Sequence, residues 1–287
     1  MEKGYESGRQ LPITGDNQVL TPYQCQPMNP QQPIMYNMPP CQYQFVSDPL
    51  AELMYAQKAS VKQRFELFEA LSGCETENQY YISTVDNQGN KKYLFKAKES
   101  SSCCCRFFCS GANREFTLNL RKIFYTPQGQ EKKEDFATFF RPFKCTCCCC
   151  NRPELSGTFI GGRTGKVGKV SEPCTVCDPL IHISNASGVI VYTITCNCCQ
   201  CGYCCRNSMC GRCSEVNFEI YQGSRCEGKP CGNIYKKFKG LTSIIGDADS
   251  FNITFPPQTI PEDKLTLLSA VIMLDYLYYE DKEEGKH

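Results

Sequence analysis

The chain has 287 residues, a net charge of +1, 41% hydrophobic residues, no Trp and 24 Cys. That length allows one large domain or two small ones, with ample core in either case. Near-neutral charge excludes nucleic-acid binding through a whole-molecule positive field. The compositional anomaly is the cysteine count.

The opening MEKGYESGRQ is polar and has no apolar h-region, so it is not a secretory signal peptide. The cysteines are therefore expected to stay mostly reduced in a cytosolic setting. There the sequons at Asn185 and Asn252 would go unused. Residues 1–44 are Pro- and Gln-rich, with few aliphatic residues and no period, and read as a disordered tail. SH3- or WW-type modules are candidate partners for such a tail, and a solvated linker is the plainer alternative.

Asp48-Pro49 suits the start of a short helix over about residues 50–57, with proline in its first turn. The signal then turns to β. Residues 79–97 alternate around Asn87-Gln88-Gly89 and read as a hairpin. A second hairpin is centred on Gly129, a third on Gly188, and a weaker fourth spans 216–238. A cysteine run follows each of the first three, on loops at strand ends. Short strands with Gly-centred turns at this spacing predict a barrel or sandwich. GGRTGKVGK reads as a Gly-rich loop, with Lys166 and Lys169 as candidate headgroup contacts.

Residues 265–279 are apolar on nearly every face and are preceded by Pro261, Glu262 and Asp263, which suit a helix N-terminus. At ~1.5 Å per residue such a helix is shorter than the ~30 Å of bilayer hydrocarbon. Asp275 is also unfavourable at membrane depth. Both points favour a core helix over a span. Residues 281–287 are a polar tail.

The densest thiols are Cys145, Cys147, Cys148, Cys149 and Cys150 in KCTCCCCNR. Neighbours in one run rarely pair with each other, so disulfides fit this stretch poorly. Lipid attachment fits better. Arg141, Lys144 and Arg152 flank the run, and Phe139, Phe140 and Phe143 precede it. Basic groups favour an anionic leaflet and aromatics suit its interface. The metal alternative is a Zn²⁺ site in CNCCQCGYCCRNSMCGRC, where Cys198, Cys201, Cys210 and Cys213 supply the C-x-x-C spacing. No nucleophile elbow, P-loop, HExxH or paired-carboxylate motif is present, so no enzyme chemistry is expected.

The order of FELFEALSGCETENQYYI, FRPFKCTCCCC, CTVC, VNFEI, GDADSFNITFPPQ and LDYLYYE resembles the phospholipid scramblases over residues 45–280. The resemblance implies a mainly β, tubby-like fold: a closed antiparallel barrel around a hydrophobic C-terminal helix. It implies palmitoylation at Cys145 and Cys147–Cys150. It also implies calcium-responsive, ATP-independent movement of membrane phospholipids between leaflets. The protein would sit on the cytoplasmic face of the plasma membrane, drawn in the family as single-pass through the C-terminal helix, with a secondary nuclear pool. The alternative is a membrane-tethered adaptor that binds lipid and partner proteins without transporting lipid. A homo-oligomer is a further candidate assembly.

The family's Ca²⁺ segment falls on Asp247, Asp249, Phe251, Ile253, Phe255 and Gln258. Gln258 stands at the last loop position, where the family pattern has an acid, so any binding is expected at ~10⁻⁴–10⁻³ M. Phe251, Ile253 and Phe255 also alternate with polar residues, as a half-buried strand does. The family's nuclear-import segment falls on Lys236, Lys237 and Lys239, a weak basic patch that reads better as lysines protecting a strand edge.

Overall fold

The structure, a computed structural model, describes residues 48–64, 77–86, 88–102, 113–126, 128–144, 151–175, 178–204, 214–237 and 250–279. The first helix starts where the sequence placed it. The Asp48 side chain accepts the backbone N–H of Leu50, and Pro49 opens α1 (Pro49–Tyr55). β1 (Lys58–Arg64) follows.

Each expected hairpin forms. β2 (Gln79–Val85) and β3 (Lys91–Ser100) join through Gly89, whose φ is +86°. β4 (Phe116–Tyr125) and β5 (Glu131–Arg141) join through Gly129 at +75°. β8 (Leu180–Asn185) and β9 (Ile190–Thr195) are the third pair. β10 (Glu215–Gln222) and β11 (Gly232–Lys237) are the fourth, reached through the short turn α2 (Cys201–Cys204). The Gly-rich stretch is not merely a loop. It turns between β6 (Glu154–Phe159) and β7 (Lys166–Ser171), another hairpin.

β12 (Ser250–Thr254) pairs with β11 on one side and β1 on the other, placing Phe251 opposite both Lys236 and Val61. The twelve antiparallel strands therefore run in sequence order around a closed barrel. Closure leaves no sheet edge, which is how an all-β domain of this kind avoids edge pairing.

α3 (Pro261–Tyr278) fills the barrel. It begins four residues before the expected 265, because the proline and two acids form its first turn rather than a flank. Every residue from Asp263 to Tyr276 is buried. No helix among the described residues is long and apolar enough to cross a membrane. The single-pass placement therefore gives way to a core helix. The barrel wall comes close enough that glycine is required at one contact: a Cβ on Gly168 of β7 would lie 2.4 Å from Thr266 Oγ1.

The helix's polar atoms find partners inside. Thr266 and Ser269 hydroxyls donate to backbone carbonyls of the preceding turn, at 3.0 and 2.7 Å. Lys264 Nζ donates to the carbonyls of Leu53, Met54 and Ala56, capping the C-terminus of α1. At the other end, Asp275 accepts from Tyr80 Oη at 3.0 Å and from Lys236 Nζ at 2.8 Å. Tyr276 Oη donates to Glu99 at 2.8 Å, and Arg114 Nε lies 3.3 Å from the same carboxylate. Lys236 also stacks over the Phe251 and Tyr279 rings, 4.4 and 4.0 Å from their centroids. Lys236 is thus an interior residue, not part of a surface basic patch.

Asp275→Ala would leave the Lys236 ammonium buried without its counter-charge and is expected to destabilise the domain by ~3–5 kcal/mol in urea denaturation. The double change Asp275→Leu with Lys236→Met should recover most of that loss, because an apolar pair of similar volume replaces the ion pair.

Candidate membrane-attachment site

Cys145 and Cys147–Cys150 lie outside the described residues, in the connection between β5 and β6. Both ends of that connection are described. Strand alternation decides which flanking groups face out. Phe139 is fully buried, whereas Phe140 and Phe143 are 46% and 53% exposed. Arg141 turns inward and is 1% exposed, its guanidinium 5.4 Å from the centre of the Phe116 ring. So Phe139 and Arg141, expected beside a membrane, belong to the core.

The remaining flank is held by acids the sequence did not single out. The Lys144 N–H donates to Asn113 O at 3.4 Å, and its Nζ lies 3.2 Å from Glu154 Oε2. Lys169 reaches the same oxygen at 2.6 Å. Partial burial alone would raise the Glu154 carboxyl. The hydrogen bonds and charges of Lys169 and Lys144 offset this, and its pKa falls below the ordinary value. Beyond the run, Arg152 pairs with Glu172, and Tyr278 at the end of α3 donates its hydroxyl to Glu172. Burial, then the Glu172 charge, raises the Tyr278 hydroxyl far above its usual range. The residues flanking the run, Lys144 and Arg152, are thus each held by a carboxylate, and that of Glu172 also takes Tyr278 of the core helix. The only sequence signal for either was an acid near a basic residue, which is too common to act on.

The other expected sites scatter. Phe251, Ile253 and Phe255 point into the barrel, and Gln258 is exposed with φ +60°. Asp247 and Asp249 lie outside the described residues. A chelating loop curls six to eight oxygens around one point. A strand paired on both sides instead holds its carbonyls toward its neighbours. The described part of this segment therefore does not fit a calcium loop.

Cys198 is partly exposed and its N–H donates to Asp178 Oδ1 at 2.9 Å. The Asp178 side chain, then burial, pushes its thiol up to about 11. Cys201 is disulfide-bonded, and only its reduced form could join Cys198 around Zn²⁺. Cys210 and Cys213 lie outside the described residues, among which no three His, Cys, Asp or Glu gather as a metal site. Lys237 lies 3.6 Å from Glu215, Lys166 is exposed, and Lys239 lies outside the described residues.

A sequence profile of the Scramblase family matches residues 38–281. This chain belongs to the Scramblase family. Phospholipid scramblase 1 of Homo sapiens is 32% identical over 222 residues, 77% of this chain and 62% of that protein. Phospholipid scramblase 1 of Rattus norvegicus is 31% identical over 224 residues, 77% of this chain and 59% of that protein. Phospholipid scramblase 1 of Mus musculus is 29% identical over 258 residues, 88% of this chain and 68% of that protein. The chain thus matches well short of the full length of these relatives. No solved structure matches.

Glu154 adds stability above its ordinary carboxylate pKa and loses it as pH falls through its lower folded value. Glu154→Gln should therefore cost up to ~1 kcal/mol near neutral pH. In acid below the folded pKa, its thermal midpoint should rejoin that of the unchanged protein.

Proposed function

We propose that this chain moves phospholipids between the leaflets of a bilayer, without ATP and without covalent change to the lipid. Palmitate on Cys145 and Cys147–Cys150 holds it to the cytoplasmic face of the plasma membrane. The observation that carries the proposal is the match to the Scramblase family over residues 38–281, joined to relatives whose names state phospholipid scramblase.

The packing constrains how such movement works. The barrel interior is occupied by α3, with Leu267, Leu268, Val271 and Leu274 fully buried, so headgroups have no route through the lumen. The filled interior supports a route along the protein–lipid boundary. There the exposed Phe140 and Phe143 sit at interfacial depth and vicinal acyl chains crowd one leaflet. A calcium response would rest on the Asp247 and Asp249 carboxylates, with weak affinity.

The filled lumen equally favours a second reading, a membrane-tethered adaptor that binds lipid and recruits partners. Its candidate partners are an SH3 or WW module on residues 1–44 and a second copy of the chain. A nuclear pool would have to rely on Lys237 and Lys239, because Lys236 is inside the barrel.

The test is exchange of a fluorescent phospholipid in liposomes carrying the purified full chain, without ATP, from no calcium to millimolar. Exchange above protein-free liposomes is expected, with Asp247→Ala weakening any calcium dependence. Serine at Cys145 and Cys147–Cys150 should release most of the protein from membranes and slow exchange with it. Folded, bound protein that moves no lipid at any calcium level would establish the adaptor instead.

A further inference from the structure

Asp263 stands in the first turn of α3, at the mouth of the barrel. It is 7% exposed, and its Oδ1 is buried without a hydrogen-bond partner. An ionised carboxylate in that setting costs far more than a neutral acid of the same shape. The start of a helix favours an anion, and burial disfavours one. Here burial prevails, the neighbouring Glu262 charge adds to it, and the Asp263 carboxyl is raised above its ordinary value.

The groups packed around Asp263 supply no counter-charge. On α3 itself, Lys264 turns away and gives its protons to the α1 carbonyls of Leu53, Met54 and Ala56, at 2.9, 3.1 and 2.8 Å. From β9, Tyr192 Oη bonds to Thr259 Oγ1 at 2.8 Å, and Thr259 Oγ1 donates in turn to Pro256 O. Cys231, just before β11, donates its thiol to Ile220 O at 3.2 Å. Lys166 of β7 and Lys58 of β1 are exposed. His182 of β8 alternates with the fully buried Ile181 and Ile183 and so faces away from α3. Glu52 of α1 pairs with Lys92, and Asp48, which caps α1, pairs with Arg163. No cation among the described residues pairs with Asp263.

Asp263 and Lys264 are successive residues of one turn. The first is buried in the barrel mouth and the second holds α1 across it. An ionised Asp263 regains water only by moving outward, and the turn that moves carries Lys264 with it. The α1 carbonyls then lose the ammonium that caps them. We propose that Asp263 is a proton latch at the barrel mouth: while protonated it seats the first turn of α3 and, through Lys264, α1, and on ionising it releases both. The inference goes beyond the reading above and stands whether the chain moves lipid or tethers partners.

A carboxyl whose pKa folding raises adds stability below its ordinary value and loses it as pH rises through the raised one. This is the reverse of Glu154, so the two are separated by comparing variants at each pH. Asp263→Asn keeps the shape and the neutral state. Thermal midpoints of the unchanged full chain and of Asp263→Asn are measured from below the ordinary carboxylate pKa to pH ~8. They are expected to coincide in acid, with the Asn variant melting a few degrees higher near neutrality. An offset that does not change with pH, or an Asn variant that melts lower near neutrality, would overturn the latch. Hydrogen exchange, corrected for the intrinsic rate at each pH, reads the release itself. Protection of α1 and of the first turn of α3 should fall several-fold across that range in the unchanged chain and stay level in Asp263→Asn, with β4 and β5 unchanged in both. Protection of α1 that does not vary with pH, or that falls equally in β4 and β5, would overturn the local release.

Discussion

The fold depends on enclosing a helix that is apolar on every side. An amphipathic helix can lie on a surface and bury one stripe; α3 has no stripe to leave outside. Each of its large aliphatic side chains gains ~1.5–3 kcal/mol from full burial. Only a wall that closes around the helix collects that gain on all faces. Twelve strands supply such a wall and in closing remove their own edges. The same enclosure obliges every polar atom of the helix to be satisfied within. Lys264 spends its ammonium protons on α1 carbonyls, Asp275 takes Lys236 and Tyr80, and Tyr276 reaches Glu99. These contacts fix the depth and rotation of the helix, which apolar packing alone would leave looser.

That architecture also sorts the chemistry. Because consecutive strands reverse direction, a residue's place in the sequence decides which end of the barrel it serves. The core helix ends where the β5–β6 and β7–β8 connections leave the barrel, and Tyr278 touches Glu172 there. Arg152, which follows the 145–150 run, is therefore tied through Glu172 to the core helix. Surface ion pairs such as Lys169–Glu154 contribute at most ~1 kcal/mol each.

Much of the fold was legible because its signals are local. Asn87-Gln88-Gly89 and Gly129 demand the turns they make, Asp48-Pro49 demands a helix start, and Phe251-Asn252-Ile253-Thr254-Phe255 alternates as a paired strand must. What was not legible is relational. Lys236 and Asp275 are 39 residues apart, and nothing local says that one neutralises the other. Arg141 and Phe140 are neighbours with opposite fates, because the strand's last residues alternate in a phase that only barrel closure sets. The first turn of α3 was read as a flank because Glu262 and Asp263 look like surface residues. They sit at the barrel mouth, where burial raises the Asp263 carboxyl instead.

The interior electrostatics bear on why the helix stays inside. Extracting α3 as a membrane span would expose Asp275 to hydrocarbon and strand Lys236 in the emptied wall. It would also part Glu99 from Tyr276 and leave its pair with Arg114 at a vacated core. No polar group on the helix would gain a partner in exchange. At 18 residues the helix reaches about 27 Å at ~1.5 Å per residue, short of the ~30 Å of hydrocarbon it would have to cross. Length, charge and lost packing all act in the same direction. Any transport by this protein must therefore work with the barrel closed and the helix in place.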